Sequence, residues 1–186
     1  IGRMRLLIIL QERARELGVD LRFETEVLAA SEYMDDYDLV VASDGLNSKT
    51  RLEFQDTFKP DIDLRKCQFI WLGTHQKFDD AFTFIFEETD KGWLWVHAYQ
   101  FDDEVFKEHL GGHTLMTNAK HIRGSAWIQF PRVLCETWHH KNVVLLGDAS
   151  ATAHFSIGSG SKLAMESAIS LVDHVMAESD IKTAFE

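Results

Sequence analysis

Apolar residues fall at helical spacing in Leu6, Leu7, Leu10, Ala14 and Leu17, and Gly18 stands where a helix C-cap belongs. The period then changes. Val19, Leu21 and Phe23 alternate with polar residues, which predicts a strand. Two later runs are continuous rather than alternating: Asp38 to Asp44, and Val143 to Asp148. Each reads as a strand covered on both faces and closing on an aspartate. Between them lie aromatic and β-branched runs at Cys67–Thr74, Phe78–Phe86 and Trp93–Tyr99, broken by short polar turns such as Glu88–Gly92. That pattern predicts an antiparallel meander whose aromatic residues pack a core. Ser125–Val133 reads as a further strand, with Pro131 setting it near an edge or an end. A polar turn at Trp138–Asn142 leads into the second continuous run. The last segment is a helix with Ala164, Ala168, Leu171, Val172 and Val175 on one face and Met165, Ile169 and Met176 beside it. A stripe this wide predicts burial on more than one side.

The two acid-tipped strands carry the chemistry. In open α/β folds, ligands bind beyond the carboxyl ends of the strands, which is where Asp44 and Asp148 fall. After Gly147-Asp148 the chain runs through Phe155-Ser-Ile-Gly-Ser-Gly-Ser-Lys162 into the last helix. Gly158 and Gly160 permit close backbone approach, and a helix opening around Ser161 presents unpaired N–H groups to electron-rich atoms. An Asp-Gly pair alone more often marks an ordinary turn. Here a strand precedes Asp44-Gly45, Ser48 and Arg51 follow it, and the Gly-Asp motif comes later in order.

Together these motifs resemble those of the flavoprotein aromatic hydroxylases. The Val143–Lys162 segment is similar to that family's second flavin-contacting motif, Gly-Asp-Ala-Ala-His followed by a glycine-rich helix start. The resemblance implies that Gly147 and Asp148 meet the ribityl chain of FAD. It also turns the helix start, Ile157, Gly158, Ser159, Gly160 and Ser161, toward the pyrimidine edge of the flavin ring. Asp44, Gly45, Ser48 and Arg51 resemble the family's Asp-Gly fingerprint, which implies contact with the FAD pyrophosphate region and the pyridine nucleotide. Two positions depart from the pattern: Ala151 stands for the motif's histidine and Phe155 for its proline. The version with His154-Phe-Ser-Ile-Gly-Ser-Gly is similar to a subgroup, the anthraniloyl-CoA and salicylyl-CoA hydroxylases and the tryptophan hydroxylase of violacein synthesis. It gives His154 a functional, catalytic role. Arg3 and Arg5 precede the first helix where relatives carry an arginine near the cofactor, which brings Arg3 into the cofactor set; surface charge is the simpler reading.

The architecture so implied is α/β (mixed α+β): a partial Rossmann-like FAD/NAD(P)-binding domain with an inserted antiparallel β-sheet substrate domain. Residues 1–64 and 134–186 form the first and return segments of the binding domain, and residues 65–133 the sheet. The implied reaction is hydroxylation of an aromatic ring, that of an aroyl-CoA such as anthraniloyl- or salicylyl-CoA, with FAD, NAD(P)H and dioxygen. Such chemistry belongs to the cofactor, while the protein contributes position, electrostatics and exclusion of water. No Gly-x-Gly-x-x-Gly occurs in the chain. The family's N-terminal βαβ unit is therefore expected to be missing, with further gaps after Asp103 and beyond the last helix. A non-catalytic fragment or remnant of such an enzyme, or a tryptophan- or indole-type hydroxylase, stands as the alternative.

Composition narrows the partners. The 186 residues are 45% hydrophobic and include 13 Phe, enough for a sizeable core. Lys and Arg number 19 against 30 Asp and Glu, a net charge of -11 that argues against nucleic acid and anionic membranes. With no apolar run of membrane-spanning length, no signal-peptide pattern, and Cys67 and Cys135 as unspaced singles, a reduced cytoplasmic setting is expected.

Other constellations read as structural. His139-His140 is a solvated pair in a turn, without an acid at metal-ligand spacing. Gly111-Gly112 breaks the helical spacing of His109 and His113, so no metal site is expected. Ser159 and Ser161 suit a turn or cap, since no nucleophile elbow surrounds them. His97 reads as a satisfied core histidine.

Overall fold

The computed structural model describes residues 3–70, 72–73, 82–98, 116–117, 127–154, 158–178 and 180–185. In chain order the elements are α1 (Arg3–Glu16), a 3-10 turn (Ala30–Tyr33), β1 (Val40–Ala42), α2 (Lys49–Glu53), α3 (Gln55–Phe58), β2 (Pro60–Phe69) and β3 (Leu72–Gly73). They continue as β4 (Thr83–Thr89), β5 (Gly92–Ala98), β6 (Met116–Thr117), β7 (Ile128–Cys135), β8 (His139–His140) and β9 (Val143–Leu145). A 3-10 turn (Gly147–Ala149), α4 (Gly160–Ala177) and α5 (Ile181–Ala184) complete the chain. The architecture mixes helices with small sheets, one parallel pair among antiparallel ones. No helix among the described residues is long and apolar enough to cross a membrane.

The chain divides into two compact units, Ile1–Thr25 with Ile70–Trp127, and Glu26–Phe69 with Ile128–Glu186. In the first, α1 ends as the glycine predicts. Gly18 takes φ 79°, its N–H donates to the Arg15 carbonyl and that of Val19 to the Ala14 carbonyl, a Schellman cap. The strand expected at Val19–Phe23 does not form, because no ladder partner pairs with it among the described residues; Val19 and Phe23 stay exposed. β4 and β5 form the anticipated hairpin, closed by Asp90-Lys91 with Gly92 at φ 117° and the Thr89 hydroxyl donating to the Gly92 carbonyl. Phe84 pairs with His97 and Phe86 with Trp95. These aromatic side chains do not fill a core: Phe82, Phe84, Phe86, Trp93 and Trp95 are all exposed, since β4 and β5 pair only with each other among the described residues. Nor is His97 satisfied. Its ring stands edge-on to Phe84 and Trp95, and its buried Nε2 has no hydrogen-bond partner among the described residues.

The second unit holds the core. Continuous apolar runs become β1 and β9, paired in parallel with Val40 beside Val143, Val41 beside Val144 and Ala42 beside Leu145; β8 joins the outer side of β9. β9 is buried at all three positions, as a doubly covered strand requires. Ala42 and Leu145 pack with Phe58, Val133, Cys135 and Ala149, and Phe54 closes edge-on against Phe58. Phe58 is fully buried, a burial that contributes about 2 kcal/mol or more. β2 and β7 run antiparallel beside this core, with an irregularity in register between Leu64 and Gln68. Pro131 sits opposite Leu64 at that break, and the Gln129 side chain donates to the carbonyls of Arg65 and Lys66, replacing ladder bonds the break removes.

Candidate functional site

Parallel pairing brings the two motifs together. β1 and β9 lie side by side pointing the same way, so Asp44 and Asp148 both stand past the same end of one sheet. Asp148 is exposed, and Asp44 is exposed as a residue while its own loop partly desolvates its carboxyl. The Leu146 N–H donates to the Ala42 carbonyl at 2.9 Å, carrying the pairing up to the start of the Gly147 turn.

The Asp-Gly loop organises itself around its acid. Gly45 adopts φ 80°, which turns the chain back so that the Thr50 N–H donates to Asp44 Oδ2 at 3.1 Å. Ser48 is the N-cap of α2, its buried hydroxyl accepting from the Arg51 N–H at 2.9 Å. Burial pulls the Asp44 carboxyl upward. Hydrogen bonds from the Ser48 hydroxyl, the Thr50 and Asp44 N–H groups and the Thr50 hydroxyl outweigh it and hold the acid below the usual carboxylate range.

Across from this loop, the Gly147–Ala149 turn is held by the Ser150 N–H and hydroxyl and the Ala151 N–H, all donating to the Gly147 carbonyl. Gly147 has φ 60°, and a Cβ there would come within 3.2 Å of the Ala164 Cβ on α4. Glycine is required twice over: for its backbone angle and for the close approach of the helix. The helix opens at Gly160 after an N-cap Ser159 that makes no side-chain cap bond, and Gly158 precedes it at φ 63° with nothing among the described residues within 4 Å of an added Cβ. Among the described residues, no side chain caps the first N–H groups of α4. A cleft of about 190 Å³ lies between turn and helix, lined among others by Trp138, Asp148, Ala151, Gly160 and Leu163.

Arg51 joins the two halves. Its guanidinium, 5% exposed, donates to the carbonyls of Ala149 at 2.9 Å, Asp148 at 3.4 Å and Leu46 at 2.5 Å. Sequence alone marked Arg51 by motif but gave no sign of these carbonyl partners. Trp138, which lines the cleft and donates from Nε1 to the Cys135 carbonyl at 3.2 Å, belongs to no motif and went unmarked.

The remaining candidates scatter. Ser161 lies in the exposed first turn of α4, and His154 is exposed ahead of Gly158. Ile157 lies outside the described residues, as do His109, His113 and the Arg3 side chain; Arg3 itself opens α1 in the other unit. The His139-His140 pair is less solvated than expected. His140 Nδ1 lies 3.0 Å from the Thr57 hydroxyl, its ring stacks on Phe54, and His139 stacks on Phe185. Burial, then the charges of Lys141 and His139, lower the His140 pKa against the opposing pull of Glu53. No cluster of three metal-binding side chains occurs among the described residues.

No family model matches the chain. Its sequence is 35% identical to salicyloyl-CoA 5-hydroxylase of a Streptomyces species, over 93% of this chain and 40% of the relative. It is 30% identical to protodeoxyviolaceinate monooxygenase of Chromobacterium violaceum, over 100% of this chain and 57% of that one. It is also 34% identical to 3-hydroxy-4-methyl-anthranilyl-[aryl-carrier protein] 5-monooxygenase of Streptosporangium sibiricum, over 100% of this chain and 56% of the relative. The chain thus spans about half the length of the relatives it matches. Among solved structures, the Y270F mutant of MHPCO superposes with a TM-score of 0.62 at 21% identity, covering 98% of this chain and 60% of that one. A C294A mutant of 2-methyl-3-hydroxypyridine-5-carboxylic acid oxygenase gives 0.59 at 21% identity, with coverages of 95% and 58%. These two establish likeness of fold. Over the part of these relatives that it spans, the chain is similar in sequence to enzymes named as hydroxylases and monooxygenases, in keeping with the resemblance of its motifs.

Proposed function

We propose that this chain is part of an FAD- and NAD(P)H-dependent monooxygenase that hydroxylates the aromatic ring of a thioester, an aroyl-CoA such as salicyloyl- or anthraniloyl-CoA. The observation that carries the reading is the pairing of β1 with β9, which sets Asp44 and Asp148 past one sheet end, with Asp148 lining a cleft against the opening of α4. Two of the three relatives bear names in which the aromatic acid is joined to a carrier, CoA or a carrier protein, which supports a thioester.

The residues present fit a flavin. Asp148 offers an exposed carboxylate to ribityl hydroxyls, and the uncapped N–H groups beyond Ser159 face an electron-rich ring edge with the positive end of the α4 dipole behind them. Among the described residues nothing lies within 4 Å of a Cβ added at Gly158 or Gly160, which suits the approach of a planar group to the backbone. Asp44, Gly45 and Ser48 hold the opposite loop, and Gly147 keeps the turn low against α4. When bound, reduced flavin supplies the electrons and the reaction with dioxygen. Asp148 orients it, the helix N-terminus favours the negative charge of its reduced state, and His154 is the proposed proton-transfer group.

The test is direct. Purified protein mixed with FAD gives the visible flavin absorbance, consumes NAD(P)H when an aroyl-CoA is added, and yields the hydroxylated thioester. Turnover of tryptophan or an indole instead would move the substrate to that class, and a protein taking up no FAD would leave only the non-catalytic remnant.

A further inference from the structure

We propose that Arg51 is a positioning residue, whose buried guanidinium locks the Gly147–Ala149 turn to the Asp44–Leu46 loop and so fixes where Asp148 stands. The inference rests on the flavin reading of that site, and it gives Arg51 a part different from direct contact with a phosphate or a pyridine nucleotide.

Three observations carry it. Arg51 is 5% exposed, so its charge is withdrawn from the surface where a coenzyme would lie. It donates to Leu46 on one loop and to Asp148 and Ala149 on the other, carbonyls 5, 97 and 98 residues away in sequence. Among the described residues no carboxylate pairs with it, although the chain carries 30 acids. A buried cation without a counter-ion persists only where dipoles replace its hydration, and charge-assisted bonds to carbonyls do so. Only a planar fork reaches three carbonyls on two loops; a lysine ammonium has the charge and the length without the geometry. Position follows directly. The Asp148 carbonyl is itself a partner, so the backbone that carries the carboxylate is the part being held.

Arg51→Lys and Arg51→Met separate this from a coenzyme contact. The first readout needs no cofactor: amide exchange of cofactor-free protein. In both variants we expect the Gly147–Thr152 segment to exchange about tenfold faster, while β9 and the middle of α4, which serve as the folding control, keep wild-type protection. The second readout compares FAD with riboflavin, which lacks the pyrophosphate. A positioning role predicts that both variants weaken both ligands by the same factor. Unchanged exchange with loss confined to FAD would overturn the proposal in favour of direct phosphate contact, and so would full retention in Arg51→Lys. If wild-type protein binds neither ligand, the flavin reading fails, and the positioning role is decided by exchange alone.

Discussion

Gly147 and Ala164 meet so closely that a single added carbon would stand 3.2 Å from the Ala164 Cβ, with the Gly147 backbone already at φ 60°. Helix α4 is seated on the Gly-Asp turn through this contact. Gly147→Ala therefore combines left-handed backbone strain with a lifted helix. We expect a loss of about 2 kcal/mol, roughly 4–8 °C in Tm. Gly158→Ala, at φ 63° but facing open space, should lose only the backbone part, about 1 kcal/mol. Thermal melts of the two variants test the difference; equal losses would show that the α4 contact contributes nothing.

Asp148 is exposed, so Asp148→Ala should leave stability within about 0.5 kcal/mol of wild type. Its effect should fall on flavin, with FAD affinity reduced at least about tenfold, the equivalent of one lost charge-assisted bond. Titration of flavin fluorescence against protein measures it. Undiminished affinity would remove Asp148 from the proposed cofactor set.

Asp44 titrates below the ordinary carboxylate range because its hydrogen bonds from Ser48 and Thr50 overcome burial. A depressed folded-state pKa adds stability at pH values above the unfolded pKa, about 3.9, and that stability disappears as pH falls through the lower folded value. Asp44→Asn should accordingly be less stable than wild type at neutral pH, with the gap narrowing in acid. Urea melts between about pH 7 and pH 2 follow the gap; a constant difference would mean the charge is not what the loop uses.

The two thiols should behave differently. Cys67 is exposed on β2, whereas Cys135 is buried beneath Ala149, and burial raises its thiol pKa against a smaller opposing pull from Arg51. At about pH 8, a thiol reagent should label Cys67 promptly and Cys135 only on unfolding. Mass spectrometry of the two peptides over time reads the ratio, and equal rates would contradict the burial.

Much of the site was legible before any coordinates. Val40–Ala42 and Val143–Leu145 declare themselves as strands by unbroken apolar runs, each followed by an acid; β9 is covered on both faces as expected, whereas Val41 leaves one face of β1 exposed. Gly18 announces its Schellman cap and Gly158–Ser161 a helix start, because both are local backbone requirements. What failed or went unseen depends on partners distant in the chain. Val19–Phe23 has the strand period but nothing to pair with among the described residues, and the Phe82–Phe86 alternation fixes a face without saying what covers it. His97 looks like an ordinary core histidine until its Nε2 is found with no acceptor or donor. The grip of Arg51 on the Ala149 carbonyl leaves no trace in composition or period, since any residue supplies a carbonyl.

The pairing of Ala42 with Leu145 also sets an order of events during folding. The two halves of the candidate site are joined only when the strands meet, and closing a loop of about a hundred residues costs about 4 kcal/mol in chain entropy. Neither strand recovers that alone. A ribosome that has released only the amino-terminal two-thirds of these residues has therefore made an aspartate loop with nothing opposite it. The candidate site is assembled only once β9 has emerged to pair with β1.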